Sequence, residues 1–248
     1  MGTPEILVVI PARGGSKSIP RKNIRDFAGY PLIAFSIAAA CQCKQVSRVI
    51  VSTDDDEIAD VACRYGAEVP FRRPVELAGD NITDLPVFQH ALAWLAEQEN
   101  YTPKLVIHLH CTSPVRPVDC LDRGIKLMEV NPDVECVRSV VQPAQSPYKM
   151  WHVDDTDGHM KPLLSIEGVP EPFNTPRQRL PQAYLQTGHT NVIRASTIQS
   201  GSMSGRVVMP LMIDPRYEVD LDTLEDWQYG EWIVANRNLE MVWPEKKV

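Results

Sequence analysis

The sequence lacks the features that mark membrane, secreted and zinc-clustered proteins. No apolar run approaches the roughly 20 residues that a membrane helix needs, and no succession of basic, apolar and small residues indicates a secretory signal. The six cysteines include no Cys-x-x-Cys pair, so neither a disulfide framework nor a zinc site is expected. We expect a cytoplasmic protein that binds no membrane and whose cysteines are small buried hydrophobes.

Positive charge is also scarce, because 25 lysines and arginines face 32 aspartates and glutamates. The formal net charge of -7 argues against nucleic acid as a partner. The 248 residues are 44% hydrophobic and 23% charged, which is typical of a globular protein with one main domain. Basic residues therefore matter only where they cluster.

Strand-like and helix-like segments alternate along most of the chain. The strand-like segments are 5–12, 48–54, 104–115, 134–142 and 206–214, and the helix-like segments are 31–43, 55–67, 83–98, 118–132 and 223–238. Such alternation predicts an α/β fold with a mostly parallel sheet and helices on both faces. Ligands bind beyond the carboxyl ends of such strands, so the loops after Ile10, Thr53 and His110 should converge.

The alternation stops between Pro143 and Pro181, a segment that contains seven prolines. This density excludes long helices and favours extended and turn conformations. An irregular stretch of this length is unusual in a compact domain, so we expect hairpins, a lid or a dimer arm.

The loop "PARGGSKSIPRKN" directly follows the first predicted strand. Gly14 and Gly15 would let the backbone approach an anion closely, and successive N–H groups could surround it. The loop matches neither the Walker A pattern nor the GxGxxG fingerprint. A solvated basic turn is the alternative, but the preceding strand favours a triphosphate site. The cations that could neutralise the triphosphate are Arg13, Lys17, Arg21 and Lys22.

Acidic residues cluster at two places. Asp220 and Asp222 lie two residues apart at the end of a predicted strand, so both carboxylates could face one Mg²⁺ ion. Alternatively, Asp222 and Glu225 form a capping box for the last helix. The consecutive aspartates at 54–56 are better explained as the acidic start of a helix than as metal ligands.

His108 and His110 would share one strand face and could bind a metal. Because no third ligand lies nearby in the sequence, we favour a packed or substrate-facing pair.

"IPARGGSKSIPRKNI" closely resembles the signature of the CMP-sialic acid synthetase (acylneuraminate cytidylyltransferase) family. The resemblance continues, in the family's order, through "VIVSTDDDEIADVACRYGAEVPFRRPVELAGDNITDLPVFQHAL", "HLHCTSPVRP", "PRQRLPQAYLQTGH" and "LMIDPRYEVDLDTLEDW". It implies a Rossmann-like nucleotidyltransferase fold over residues 1–248 as a single domain. It also implies transfer of CMP from CTP to a sialic-acid-like 2-keto sugar acid with Mg²⁺ as cofactor. The family forms homodimers, and residues 143–181 would be the inserted arm that dimerises and binds the acceptor.

The same resemblance assigns roles to individual residues. Lys22 would assist at the α-phosphate, with Arg13 and the Mg²⁺-binding Asp220 and Asp222 as further catalytic residues. The nucleotide would contact Arg13, Gly14, Gly15, Ser16, Lys17, Lys22, Asn23 and Arg73. Arg73 would reach the base, or else lie on the surface. The sugar acid would contact His110, Lys149, Arg177, Gln178 and Gly188.

The chain departs from the family pattern at two of these places. His110 replaces a glutamine, and "TGHTNVI" replaces the usual asparagine–glycine–alanine–isoleucine–tyrosine. The accepted acid can therefore be of the legionaminate, pseudaminate or octulosonate type instead of N-acetylneuraminate.

Two other functions stay open from the sequence. One is a related nucleotidyltransferase that uses GTP or UTP, or another sugar acceptor. The other is a non-catalytic nucleotide-binding module on the same fold. The presence of the loop lysines together with Asp220 and Asp222 favours an enzyme.

Overall fold

The computed structural model describes residues 5–245. Its strands are β1 (Ile6–Pro11), β2 (Asp26–Phe27), β3 (Tyr30–Pro31), β4 (Arg48–Ser52), β5 (Leu105–His108), β6 (Cys136–Val141), β7 (Trp151–Val153), β8 (Met160–Pro162), β9 (Leu185–Arg194) and β10 (Val208–Met212). Its α-helices are α1 (Leu32–Gln42), α2 (Asp56–Tyr65), α3 (Asp84–Glu99), α4 (Cys120–Val130), α5 (Ala195–Gln199) and α6 (Leu224–Asn236).

Six strands form the central sheet in the order β10-β6-β9-β5-β1-β4. β1 runs parallel to β4 and β5, and β10 runs parallel to β6. β9 alone is antiparallel, and it pairs with both β5 and β6. The predicted mostly parallel sheet is therefore confirmed.

The strand β1 shows how the core is divided, because its side chains alternate between two hydrophobic clusters. Ile6, Val8 and Ile10 pack with α1, α2, α4 and α6 on one face of the sheet. Leu7 and Val9 pack with α3 and α5 on the other face. Helices cover both faces, as the sequence predicted.

The sequence did not reveal β9, although this ten-residue strand lies inside the sheet. Its buried residues include the polar His189, Thr190 and Asn191, so it shows neither the apolar run nor the alternation expected of a strand. Conversely, the strand predicted over 104–115 ends at His108. Beyond that point the His110 carbonyl accepts a hydrogen bond from the Arg116 guanidinium instead of a neighbouring strand.

The strand predicted before the last helix is not formed as a regular strand, but buried and exposed residues still alternate along residues 219–222. Val219 and Leu221 are buried whereas Asp220 and Asp222 are exposed. The predicted cap was wrong by one residue. Thr223 caps α6, and its capping-box partner is Asp226.

Residues 143–181 contain short 3-10 turns and the antiparallel β7–β8 hairpin. No α-helix lies in this segment, which falls wholly within the described residues. We call residues 143–181 the arm.

Four of the six cysteines are buried as expected, namely Cys43, Cys111, Cys120 and Cys136. The other two, Cys41 and Cys63, are exposed and do not fit the expectation of buried hydrophobes. Of the helices in the described range, none combines the length and apolarity needed to cross a membrane.

Candidate active site

The loops after β1 and β5 and the segment that follows α2 meet around a cavity of about 510 Å³, which we call the main cavity. Its volume lies within the range of small-molecule sites, and its position follows the rule for open α/β sheets. Its polar and charged lining residues are Arg13, Ser16, Lys17, Ser18, Lys22, Asn23, Arg73, Asp80, Asp84, His110, Thr112 and Asp222.

The loop after β1 is held by its neighbours. The Asn23 amide donates to the Arg13 carbonyl at 3.0 Å, and the Gly14 N–H donates to Asp54 Oδ1 at 3.0 Å. A Cβ atom at position 14 would lie 2.8 Å from Asp55 Oδ2, so only glycine allows this close approach. The contact joins the β1 and β4 loops, which confirms part of the expected convergence.

Lys22 connects this loop to the carboxyl-terminal part of the chain. Its side chain is largely buried, and Nζ donates to the Leu221 carbonyl and to Asp222 Oδ1, both at 3.0 Å. A lysine ammonium has three N–H donors, so one remains for a guest in the main cavity. The structure thus places the predicted Lys22 and Asp222 side by side although they are 200 residues apart in sequence.

Asp222 and Asp220 do not line the same cavity. Asp222 lines the main cavity, whereas Asp220 lines an adjoining cavity of about 50 Å³. Both carboxylates are exposed, and carboxylate oxygens and water are the ligands that Mg²⁺ prefers. The donor set therefore fits a magnesium ion.

Arg13 and Lys17 are organised around one carboxylate at the edge of the main cavity. Arg13 donates to the Gly79 carbonyl at 2.8 Å and pairs with Asp80 at 3.0 Å, and Lys17 pairs with the same aspartate. The pKa of the Asp80 carboxyl is lowered mainly by the hydrogen bond from Lys17, and the positive charges of Lys17 and Arg13 lower it further. Two cations that already share an anionic group are suited to a multiply charged anion.

Three predicted residues of the loop, Gly14, Gly15 and Arg21, are not among the residues that line the main cavity. Arg21 lies outside the main cavity and pairs with Asp55 and Glu57 at the start of α2. These carboxylates hold the pKa of Arg21 above its usual value. Arg21 therefore stabilises a helix start instead of contributing to a triphosphate site. At Gly15, an added Cβ would meet nothing within 4 Å, so no crowding requires glycine there.

Arg73 is a wall residue of the main cavity and not a surface arginine. It is 6% exposed, its Nε donates to Ser52 Oγ at 3.1 Å, and its guanidinium also donates to the Ser52 carbonyl. Burial lowers its pKa. No carboxylate among the described residues pairs with it at salt-bridge distance. The positive charge of Arg73 is therefore not neutralised by a direct partner, and it faces the cavity.

His110 also lines the main cavity, and Gly188 lies against it. A Cβ atom at position 188 would lie 2.5 Å from Ser113 Oγ and 2.8 Å from His110 Cβ. Any other residue would displace the imidazole. Gly188 is therefore required where β9 passes the histidine, and it lines the 50 Å³ cavity together with Asp220.

The remaining predicted acceptor residues lie in the arm, and the structure does not bring them to the main cavity. Arg177 and Gln178 line a separate cavity of about 360 Å³. Arg177 donates to the Pro143 carbonyl at 2.7 Å and to the Ala144 carbonyl at 3.0 Å. Lys149 donates to the Phe173 carbonyl at 3.1 Å.

Sequence reasoning missed Arg116, the residue that supports His110. Arg116 is fully buried, and its guanidinium donates to the His189 carbonyl at 2.7 Å, to Ser36 Oγ at 3.0 Å and to the His110 carbonyl. Burial lowers its pKa to about 10. The block "HLHCTSPVRP" contained it, but nothing local in the sequence distinguishes a buried clamp from an exposed arginine.

His189 is a second residue of this kind. Its Nε2 lies 3.1 Å from the carbonyls of both Val115 and Tyr217, and its Nδ1 lies 2.9 Å from Thr187 Oγ1. These contacts assign the proton to Nε2. Burial lowers the pKa of His189 to about 4, so the imidazole is neutral at pH 7 and joins β9 to the loops beside the cavity.

Comparison with known proteins gives matches over most of the chain. A family model described as "Cytidylyltransferase" matches residues 7–151. A CMP-N,N'-diacetyllegionaminic acid synthase of Legionella pneumophila is 33% identical over 228 residues, which are 91% of this chain and 94% of that protein. A pseudaminic acid cytidylyltransferase of Campylobacter jejuni is 45% identical over 118 residues, 48% of this chain and 50% of that protein.

Among solved structures, a CMP:2-keto-3-deoxy-manno-octonic acid synthetase complexed with CTP matches with a TM-score of 0.65. The match covers 93% of this chain and 98% of that one at 17% identity. At this identity the likeness shows the fold, which is the Rossmann-like nucleotidyltransferase fold expected from the sequence.

Proposed function

This chain belongs to the cytidylyltransferase family and is a nucleotidyltransferase enzyme, and on that premise we propose that it activates a 2-keto sugar acid with CTP. The products are the CMP-sugar and pyrophosphate. The observation that carries the proposal is Lys22, a buried ammonium beside Asp222 in the main cavity with one donor left for a ligand.

The reaction needs no covalent enzyme intermediate. The anomeric hydroxyl of the acid attacks the α-phosphorus, a new P–O bond forms, the bond to pyrophosphate breaks, and the hydroxyl proton passes to solvent water. Lys22 stabilises negative charge at the α-phosphate, while Arg13 and Lys17 hold the β- and γ-phosphates in place of Asp80. Arg73, held at Ser52, orients the nucleotide from the cavity wall.

Asp220 and Asp222 would hold Mg²⁺. When bound, the ion neutralises phosphate charge and orients the triphosphate. The Lys22 ammonium lies 3.0 Å from Asp222 Oδ1 and neutralises part of its charge.

We further propose that the acceptor is an acid of the pseudaminic or legionaminic type. Relatives named for those acids align with this chain. Gly188 packs against His110 and holds its imidazole at the cavity wall, where the ring could hydrogen-bond the acceptor.

A pyrophosphate-release assay tests these proposals. CTP, GTP, UTP and ATP are each combined with pseudaminic, N,N'-diacetyllegionaminic, N-acetylneuraminic and 2-keto-3-deoxy-manno-octonic acids. We expect release only with CTP, and faster release with one of the first two acids. Release with GTP or UTP would overturn the choice of nucleotide. Preference for N-acetylneuraminic acid would overturn the choice of acceptor, and no release with any pair would favour a binding module.

The arm is the part of the chain that we propose to contact a second copy. Met150, Trp151, Leu163 and Leu164 are all exposed there, and a local group of exposed apolar side chains is typical of an interaction surface. In a homodimer, Lys149, Arg177 and Gln178 would contribute to acceptor binding from the partner.

Light scattering of the variant Leu163→Glu tests the homodimer, with Val130→Glu as the matched control. Val130 is similarly exposed, but it lies on α4 outside the arm. We expect twice the chain mass for the unmodified protein and the control, and a shift toward the monomer for Leu163→Glu. A fully active monomer would contradict the arm's role.

A further inference from the structure

Two histidines and one aspartate converge beside the main cavity, which Asp84 and His110 line. His108 ends β5, His110 lies two residues later, and Asp84 is the first residue of α3. One ligand atom of each lies within 4.8 Å of the others. Within the described residues 5–245, no other group of three or more potential metal ligands comes together in this way.

Polar atoms in and beside this group lack hydrogen-bond partners, which packing alone does not explain. His108 is 2% exposed, and its Nε2 has no hydrogen-bond partner. Its Nδ1 lies 3.9 Å from Asp84 Oδ2, which is too far for a hydrogen bond. Asn191 is the cross-strand partner of His108, and its Oδ1 is unpartnered as well. A buried imidazole nitrogen without a partner is unfavourable unless something else occupies its lone pair.

The cluster combines two imidazoles with one carboxylate. A neutral imidazole offers one lone pair to a metal ion. The rings stack with centroids 4.0 Å apart, which suits neutral imidazoles. Asp84 adds one negative charge, and its side chain is 47% exposed, toward the main cavity that it lines.

We propose that Asp84, His108 and His110 form a binding site for a first-row transition-metal dication of the Zn²⁺ type. Two imidazole nitrogens and one carboxylate are a donor set for such ions, whereas Mg²⁺ prefers oxygen ligands. Three protein ligands leave a coordination position open toward the cavity. The site is separate from the Asp220–Asp222 pair, and it does not depend on the proposed function.

Cobalt binding tests the site without any activity measurement. The full chain, free of a polyhistidine tag, is treated with a chelator and titrated with Co²⁺, whose visible absorption reports nitrogen ligation. We expect one Co²⁺ per chain, displaced by Zn²⁺. Because His108 is buried, the variants are Asp84→Asn and His110→Gln, which change the more exposed ligands. Each should weaken Co²⁺ binding about tenfold or more.

Two further variants serve as controls. His152→Gln alters an exposed histidine of the arm and should bind Co²⁺ as the unmodified chain does. Asp222→Asn should also leave Co²⁺ binding unchanged, because that residue is not a ligand of this site. Metal-free melting curves of all variants show whether each remains folded.

Three results would overturn the proposal. The first is a chelator-treated chain that binds no Co²⁺. The second is unchanged binding in folded Asp84→Asn and His110→Gln. The third is loss of binding in Asp222→Asn, which would place the ion at the other pair.

Discussion

The main cavity and the arm both contain lysine, arginine and histidine, but they place these residues in opposite environments. Lys22 and Arg73 are at least nine-tenths buried, whereas Lys149 and Arg177 are exposed. Both sets donate to backbone carbonyls, so hydrogen bonding alone does not distinguish them. Solvent exposure does, because water and salt screen an exposed charge and leave a buried one strong.

The histidines follow the same division. His108 and His189 are buried beside the cavity, whereas His152 and His159 are exposed in the arm. The comparison indicates that Lys22 and Arg73 are held in place by hydrogen bonds in a buried environment. Residues of the arm are fixed mainly by local turns. The following experiments test how far this difference determines behaviour.

The largest effect should come from Lys22→Ala. The buried ammonium acts where surrounding water is scarce, so its loss should lower kcat by roughly 10²–10³-fold with little change in melting temperature. Steady-state pyrophosphate release measures the effect. Lys126→Ala, which alters an exposed lysine paired with Glu129, is the matched control. Near-normal turnover in Lys22→Ala would show that burial of this cation is structural.

The next effect concerns stability at low pH. His189 has a folded-state pKa of about 4, below the ordinary value of 6.5, so the unfolded chain binds its proton first as the pH falls. Stability should therefore decrease from pH 6.5 to pH 4, and the separation is worth about 3 kcal/mol. Denaturant unfolding across this range measures the slope.

His189→Gln should flatten this slope, because the substituted residue does not titrate. His152→Gln, which alters an exposed histidine of the arm, is the matched control and should leave the slope unchanged. An unaltered slope in His189→Gln would assign the acid sensitivity to other groups, of which the buried His108 is the first to examine.

Two smaller effects should distinguish Thr223, which caps α6, from Asp222, which lines the main cavity. Thr223→Ala removes the N-cap of α6 and should cost roughly 0.5–2 kcal/mol of unfolding free energy with normal turnover. Asp222→Asn should preserve stability, raise the Mg²⁺ requirement and lower turnover at least about tenfold. The reverse assignment, with stability lost only in Asp222→Asn, would contradict the observed cap.

The smallest effect should come from Asp80→Asn at the exposed edge of the main cavity. The substitution frees Arg13 and Lys17 from their shared partner, so the KM for CTP should fall roughly two- to fivefold. The difference should shrink at high salt. Asp157→Asn, which alters an exposed carboxylate of the arm, should leave the KM unchanged. A higher KM in Asp80→Asn would mean that this aspartate positions the cations.

The sequence by itself determined the alternation of strands and helices and the presence of a glycine-containing basic loop after β1. Both follow from local pattern, namely hydrophobic periodicity, glycine next to cations, and a strand end before a loop. It also indicated Lys22, Asp222 and His110 as cavity residues, as the structure places them. These residues lie at or near the ends of strands or helices. In an open α/β sheet, ligands bind beyond the carboxyl ends of the strands, so such residues are predictable as cavity residues.

Only the tertiary structure decided which charges are buried and which residues meet. Arg21 and Lys22 are adjacent in sequence, yet one pairs with the start of α2 and the other faces Asp222. Polar β9 became an interior strand because Arg116 and neighbouring strands satisfy its backbone. Asp84 joins His108 and His110 only because α3 packs over the end of β5. Burial and long-range pairing depend on how distant segments of the chain pack together. A local sequence pattern does not determine that packing.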